Sequence, residues 1–314
     1  MSIEFIISFT LECLGFLWLC IRTLVRSIGY AIYKNKPRKE IKNSNILITG
    51  TASGLGKLLA DRFACDGNTL HLVDINSEMN EGTKESLQDR DCTVHTYHCD
   101  VRSIDSITQL RENVLENCSH LDYLINNAGV MVGKLFHEES IAEINMTMEV
   151  NALGPMMMTK IFLPEFIEHG GHLVYVCSTA GQCFAAFSAD YCASKHAITG
   201  FIRTLKIDLE YRNIHQVKMT TVFPHMIDTG LATGCIPKLP LILPMLQPDW
   251  VADQIVTATK EEVEEIFLPR TFPLALLGLN IVSPKVMRKF GLLMGSDLMK
   301  DFRQTREHSL ANAL

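Results

Sequence analysis

The stretch Asn45-Ile46-Leu47-Ile48-Thr49-Gly50-Thr51-Ala52-Ser53-Gly54-Leu55-Gly56-Lys57-Leu58-Leu59-Ala60 decides the fold. A short apolar run ends in glycine, a glycine-rich turn follows, and from Lys57 to Cys65 apolar residues recur at helical spacing. The first run reads as a buried parallel strand and the last as a helix packed on it. Between them, Gly50, Ser53, Gly54, Leu55 and Gly56 form a turn where backbone can approach a ligand closely. The unpaired N–H groups of the helix N-terminus lie beside it and favour a phosphate. Strand, glycine turn and helix in this order are the context that dinucleotide binding requires.

The next strand, Thr69–Asp74, ends in an acid at the distance from the turn expected of a ribose-binding carboxylate. Asp74 bears on the choice of cofactor. A 2′-phosphate beside it would bring like charges together at about 4 kcal/mol per pair, for 4 Å and an effective dielectric constant near 20. No Arg or Lys stands in the turn before Gly54, and Ile75 and Asn76 bring no counter-charge. NAD is therefore favoured over NADP. Asp100, after the strand Val94–His98, is a second candidate contact near the adenine. A fourth strand, Leu121–Asn126, leads into Asn126-Asn127-Ala128-Gly129, a turn of small and amide side chains suited to a cofactor wall.

A fifth apolar run, His172–Cys177, ends at Ser178; Tyr191 follows thirteen residues later, and Lys195 four after that. Ser188 or Asp190 is placed to cap a helix running to about Glu210. On that helix Tyr191, Lys195, Ile198, Ile202, Leu205 and Leu209 share a stripe about 80° wide, so the Tyr–Lys pair heads the face that packs on the sheet. A phenol of pKa about 10 is a poor base near neutrality, and lowering it to ~7 takes roughly 4 kcal/mol. One ammonium near 4 Å supplies about that much. Tyr191 is thus the candidate general acid/base, Lys195 its electrostatic partner, Ser178 the group that holds the substrate oxygen. Asn151, within a helix interrupted by Gly154-Pro155, is the candidate to hold a proton-relaying water.

In these motifs the chain resembles the short-chain dehydrogenase/reductase family over about residues 44–270. The resemblance implies a doubly wound, seven-stranded parallel sheet of Rossmann type and a homodimer. It assigns catalysis to Asn151, Ser178, Tyr191 and Lys195. Cofactor binding falls to Gly50, Ser53, Gly54, Leu55, Gly56, Asp74, Asp100, Asn127, Ala128, Gly129, Tyr191, Lys195 and Thr229. After the sixth strand the family often carries Pro-Gly with Thr four residues beyond the Gly. Here Pro224-His225-Met226-Ile227-Asp228-Thr229 has His225 in place of that Gly, and His225 reads as a loop residue. The apolar N-terminus, the Asp-Thr-Gly segment and Phe-Leu-Pro-Arg at 267–270 resemble more narrowly a branch of membrane- and lipid-droplet-associated retinol and 17β-hydroxysteroid dehydrogenases.

The 314 residues, 47% hydrophobic and 20% charged, suit one large α/β domain with appendages. Residues 1–44 carry a net charge of +4, which leaves −10 on the remainder and argues against nucleic acid as a partner. The ten cysteines form no C-x-x-C pair and no zinc-like cluster, so no metal is expected, and they read as small buried residues of a reducing compartment. Phe5–Ile21 is an apolar run of 17 residues with Glu12 near its middle, and Arg22, Arg26 and a cluster from Lys34 to Lys42 follow. As a helix it reaches roughly 26 Å, slightly short of a bilayer core. It either spans a membrane once or lies in one leaflet as a monotopic anchor, with the body facing the cytosol. The expected organisation is an anchor at 1–30, a basic linker at 31–44, the dehydrogenase domain at 45–270 and an apolar, basic extension at 271–314. Localisation follows as the endoplasmic reticulum membrane, the lipid droplet, or both.

Leu231–Pro248 contains one charge, Lys238, and Phe184, Ala185, Ala186 and Phe187 are apolar too. A pocket lined this way suits a lipophilic alcohol or ketone such as a retinoid, a steroid or another lipid alcohol. Phe267–Gly295, with scattered basic residues, is a candidate second membrane surface. The alternative reading is a lipid-droplet or reticulum surface protein that uses the dehydrogenase fold as a scaffold.

Overall fold

The computed structural model describes residues 39–232 and 244–273, with positions 283, 285, 286, 288 and 289. The expected N-terminal anchor, most of the basic linker, the centre of the 231–248 segment and most of the C-terminal extension lie outside the described residues. Among those described, no helix is long and apolar enough to cross a membrane.

Seven strands form one parallel sheet in the order β3-β2-β1-β4-β5-β6-β7. They are β1 (Asn45–Thr49), β2 (Asn68–Asp74), β3 (Cys92–His98), β4 (Tyr123–Asn126), β5 (Gly171–Val176), β6 (Val217–Pro224) and β7 (Glu265–Leu268). The connecting helices are α1 (Gly54–Phe63), α2 (Ser77–Glu85), α3 (Ile104–Leu115), α4 (Ile141–Met148), α5 (Gly154–His169), α6 (Ala189–Tyr211) and α7 (Pro248–Lys260). From β1 the chain builds outward to β3, then returns to set β4 on the other side of β1, in register Ile46↔Tyr123 and Ile48↔Ile125. That reversal opens a crevice at the carboxyl ends of β1 and β4.

Strand alternation divides the core. Leu47, Leu124, Leu173 and Phe223 face a layer made by Ile107, Leu110 and Val114 of α3, Phe162 and Phe166 of α5, and Ile198 and Ile202 of α6. Ile46 and Ile48 point to the opposite face, the side on which α1 packs against α7. The body also extends N-terminal of Asn45. Ile41 is buried, Asn43 N–H donates to Asp66 O (3.0 Å), and Ser44 N–H donates to Asn68 Oδ1 (3.0 Å). Residues 39–44, read from composition as the end of a linker, are thereby tied to the sheet.

α6 begins at Ala189 with Ser188 at its N-cap position, but Ser188 makes no side-chain capping bond there. Asp190 Oδ1 instead accepts from Tyr191 N–H at 2.7 Å, within the first turn. Phe162 is fully enclosed by the α3–α5–α6 layer. Replacing Phe162 with Ala should cost about 3–5 kcal/mol, read as a lower urea midpoint with an unchanged denaturant slope.

Candidate active site

The crevice is stitched together by side chains as well as by the sheet. Thr49 Oγ1 accepts from the N–H groups of Asn127 (3.0 Å) and Ala128 (3.1 Å). Asn127 Nδ2 returns bonds to the carbonyls of Thr49 (2.9 Å) and Gly50 (3.2 Å). Asn127 therefore locks the turn after β4 to the turn after β1, a role its sequence position alone did not reveal. On the other side α1 presses so close that a Cβ on Gly56 would lie 1.8 Å from Gly50 O, so no other residue fits there. Ser53, in extended conformation at the N-cap of α1, makes no side-chain capping bond. The first-turn N–H groups of α1 are left open beside the cavity.

That cavity, about 700 Å³, is walled by Gly50, Ser53, Gly54, Leu55, Gly56, Asp74, Asp100, Asn127, Ala128, Gly129, Ser178, Tyr191, Lys195 and Thr229, with further residues discussed below. Every site residue expected from sequence stands on this wall except Asn151. At the β2 end, the Asp74 carboxylate accepts from Ala52 N–H through Oδ2 and from Asn76 N–H through Oδ1, both at 2.9 Å. These bonds hold it at the cavity edge. Asp100 is gripped by Arg102, whose Nε and Nη2 reach both carboxylate oxygens at 2.8–3.0 Å. Arg102 keeps the Asp100 carboxyl below the usual carboxylate range. Arg102 is also on the cavity wall, a cation that the sequence reading did not place there.

At the other end Tyr191 is buried in a small apolar cluster with Met131 and Ala232, against which Phe187, Met226 and Leu231 pack. Lys195 is 5% exposed, and its Nζ lies 5.6 Å from the centre of the Tyr191 ring. Its Nζ donates to Val176 O at 3.5 Å, and burial lowers its pKa. Ser178 lies two residues beyond the end of β5, and its Oγ accepts from Ala180 N–H (3.1 Å), which leaves the hydroxyl proton to donate elsewhere. Thr229 faces Gly54 across the crevice, 3.8 Å from where a Cβ on that glycine would lie.

Asn151 sits behind the wall, 1% exposed, in a π-turn spanning Glu149–Leu153. Its side chain bonds both ways with the Val130 backbone, Oδ1 accepting from N–H and Nδ2 donating to O, each at 2.8 Å. Nδ2 also donates to Ser194 Oγ (3.2 Å). A Cβ on Gly129 would lie 3.3 Å from Asn151 Oδ1 and 3.7 Å from Lys195 Nζ. The amide and the ammonium thus converge behind that glycine.

Sequence reasoning also missed a buried acid pair beside the start of α6. Asp190 Oδ2 and both carboxyl oxygens of Glu139 are enclosed without a conventional donor. Burial, the Asp190 carboxyl and Glu143 together push Glu139 up to about 7, against a smaller opposing pull from Lys134. Glu139 therefore keeps its proton under mildly acidic conditions and hydrogen-bonds Asp190. A raised folded-state pKa contributes stability below the unfolded carboxyl value that is lost as pH rises through about 7. The stability of the wild type relative to Glu139→Gln should accordingly be greatest near pH 5 and fall towards pH 8. Urea midpoints across that range give the measurement, and a difference independent of pH would rule out a proton held by this pair.

A family model for short chain dehydrogenases matches residues 44–238. Short-chain dehydrogenase/reductase family 16C member 6 of Bos taurus is 36% identical over 276 residues, 87% of each chain. Epidermal retinol dehydrogenase 2 of Homo sapiens is 36% identical over 237 residues, 75% of this chain and 77% of that one. Among solved structures, an alcohol dehydrogenase from Thermococcus sibiricus complexed with 5-hydroxy-NADP aligns with a TM-score of 0.64 at 27% identity. The alignment covers 71% of this chain and 95% of that one. With its fold, cavity and sequence relatives in agreement, the chain belongs to the short-chain dehydrogenase/reductase family and is an oxidoreductase of alcohols.

Proposed function

We propose that the protein interconverts a lipophilic alcohol and its carbonyl with NAD, using Tyr191 as general acid/base. The observation that carries this reading is Tyr191 itself, buried among apolar side chains on the cavity wall, with the Lys195 ammonium one helical turn away. Open first-turn N–H groups on α1, the glycine-shaped approach at Gly56 and the oriented Asp74 carboxylate all fit a nicotinamide dinucleotide. When bound, that cofactor supplies the hydride acceptor or donor.

The chain's own residues do the rest. Tyr191 Oη takes the proton from the reacting hydroxyl during oxidation and returns it during reduction. Lys195 favours the phenolate, and its burial among few competing groups keeps the interaction strong. Ser178 donates its free hydroxyl proton to the substrate oxygen and so orients the reacting carbon. Thr229, across the crevice from Gly54, is assigned to the nicotinamide amide. We assign Asn151 to positioning, because its side-chain bonds fix Val130 and Ser194 around Lys195. Ser178, Tyr191 and Lys195 are the groups assigned to touch the reactants.

Asp74 favours NAD, and Arg102 turns Nε and Nη2 to Asp100 rather than to Asp74. For the substrate, the walls contributed by Met131, Phe184, Ala186, Met226 and Leu231 favour a hydrocarbon body, and relatives named for retinol point to a retinoid or another lipid alcohol. The apolar run Phe5–Ile21 with its basic flank supports attachment to the reticulum membrane or the lipid droplet. Ile207 and Tyr211, both largely exposed on α6, support burial of that face in a homodimer.

Tyr191→Phe should lower kcat about 10²–10⁴-fold with little change in the affinity for NAD, measured by alcohol-dependent NADH formation and by dinucleotide titration. Turnover near the wild-type rate would sink the assignment. Asp74→Ala should move the ratio of kcat/KM for NAD over NADP at least about tenfold towards NADP, tested with both dinucleotides at one alcohol concentration.

A further inference from the structure

His225 stands where the family pattern has glycine, and three contacts hold it in place. Its N–H donates to Leu268 O at 2.7 Å, joining the turn after β6 to the end of β7. Its Nδ1 lies 3.2 Å from Thr179 Oγ1. Its ring stacks on Phe272, with centroids 6.0 Å apart and planes at 28°. Burial lowers its pKa to about 4, so the ring is neutral at working pH.

His225 is only half-buried and forms part of the cavity wall. With Nδ1 engaged by Thr179, Nε2 is the remaining polar atom of the ring, and it has no hydrogen-bond partner among the described residues. The same wall carries apolar Met131, Ala180, Phe184, Met226 and Leu231, with Ser178 and Tyr191 among its hydrogen-bonding groups. A fixed, neutral ring nitrogen in such a wall selects for a ligand atom that can bond it, because a ligand without one leaves it unpaired. Thr179, which anchors the ring, directly follows Ser178, and both Ser178 and His225 line the same cavity. We propose that His225 Nε2 hydrogen-bonds a second substrate oxygen close to the reacting one, making the preferred substrate a lipophilic vicinal diol or hydroxyketone.

This inference rests on the reading of the site as a lipid-alcohol dehydrogenase. The test uses the full chain in detergent with NAD and two probes, a long-chain secondary alcohol and the vicinal diol of the same chain length. The ratio of kcat/KM for diol over mono-alcohol should fall at least about tenfold in His225→Phe, mainly through the KM of the diol. His225→Gln, which restores a hydrogen-bonding group at similar reach, should recover part of that ratio and guards against a variant that merely folds poorly. A ratio within about twofold of the wild type in both variants overturns the proposal. So does a rise in the KM for NAD that is equal with either alcohol, since that assigns His225 to the cofactor. A wild-type enzyme that oxidises neither alcohol overturns the functional reading, and this inference falls with it.

Discussion

The contact between the first turn of α1 and the Gly50 turn constrains everything around it. With 1.8 Å between a would-be Gly56 Cβ and Gly50 O, helix and strand meet closer than any side chain permits. The turn is tied sideways as well. Gly50 N–H donates to Val73 O on β2 (2.8 Å), while Asn127 Nδ2 reaches Gly50 O from the β4 side (3.2 Å). One peptide segment therefore references three neighbouring strands. Asp74 at the tip of β2 and Ser178 just beyond the tip of β5 keep fixed positions relative to the helix N-terminus because all are measured from this junction.

At the far end of the cavity, the governing quantity is local charge. Among the described residues, no carboxylate stands within ion-pair distance of Lys195 Nζ, so its field is not cancelled before it reaches Tyr191. The acids nearest the start of α6 are Asp190 and Glu139, and two carboxylates there would oppose a phenolate. Glu139, pushed up to about 7 by burial and by Asp190, keeps its proton under mildly acidic conditions and there removes one of those charges. While it holds that proton, the acid pair opposes less strongly the Tyr191 phenolate that the proposed mechanism requires.

What was legible in the sequence followed from short-range regularities. Apolar runs punctuated by glycine or acid mark β1 and β2, and the stripe from Tyr191 to Leu209 marks the buried face of α6, because period and burial are coupled along one element. Residues whose role depends on a second element were not legible. Asn127 reads as a cofactor contact, but nothing in the sequence shows that its amide also bridges two turns. Asn151 reads as the holder of a proton-relaying water, and nothing in the sequence shows that the π-turn at Glu149–Leu153 turns its amide to the Val130 backbone. Arg102 is two residues from Asp100 in an unremarked loop, and only the fold brings it to the cavity wall. His225 departs from a pattern, and a departure alone carries no direction. Its meaning comes from Thr179 and Phe272, 46 and 47 residues away in opposite directions along the chain.

The cavity is chemically graded, and the gradient reconciles the two tasks of the site. Near β2 and β3 it presents Asp74, Asp100 and Arg102, a polar wall suited to the hydroxyls of a dinucleotide. Towards α6 it becomes apolar around Tyr191, with Met131, Phe187, Met226 and Leu231 excluding water from the phenol. Excluding water lowers the local dielectric, which strengthens the Lys195–Tyr191 interaction and raises the cost of any unpaired polar atom nearby. The same low dielectric therefore serves both proton transfer and selection. In the proposed mechanism it lets the Lys195 ammonium favour a Tyr191 phenolate, and it makes Nε2 of His225 a discriminating group beside Ser178 and Tyr191 in a wall that is otherwise mostly hydrocarbon.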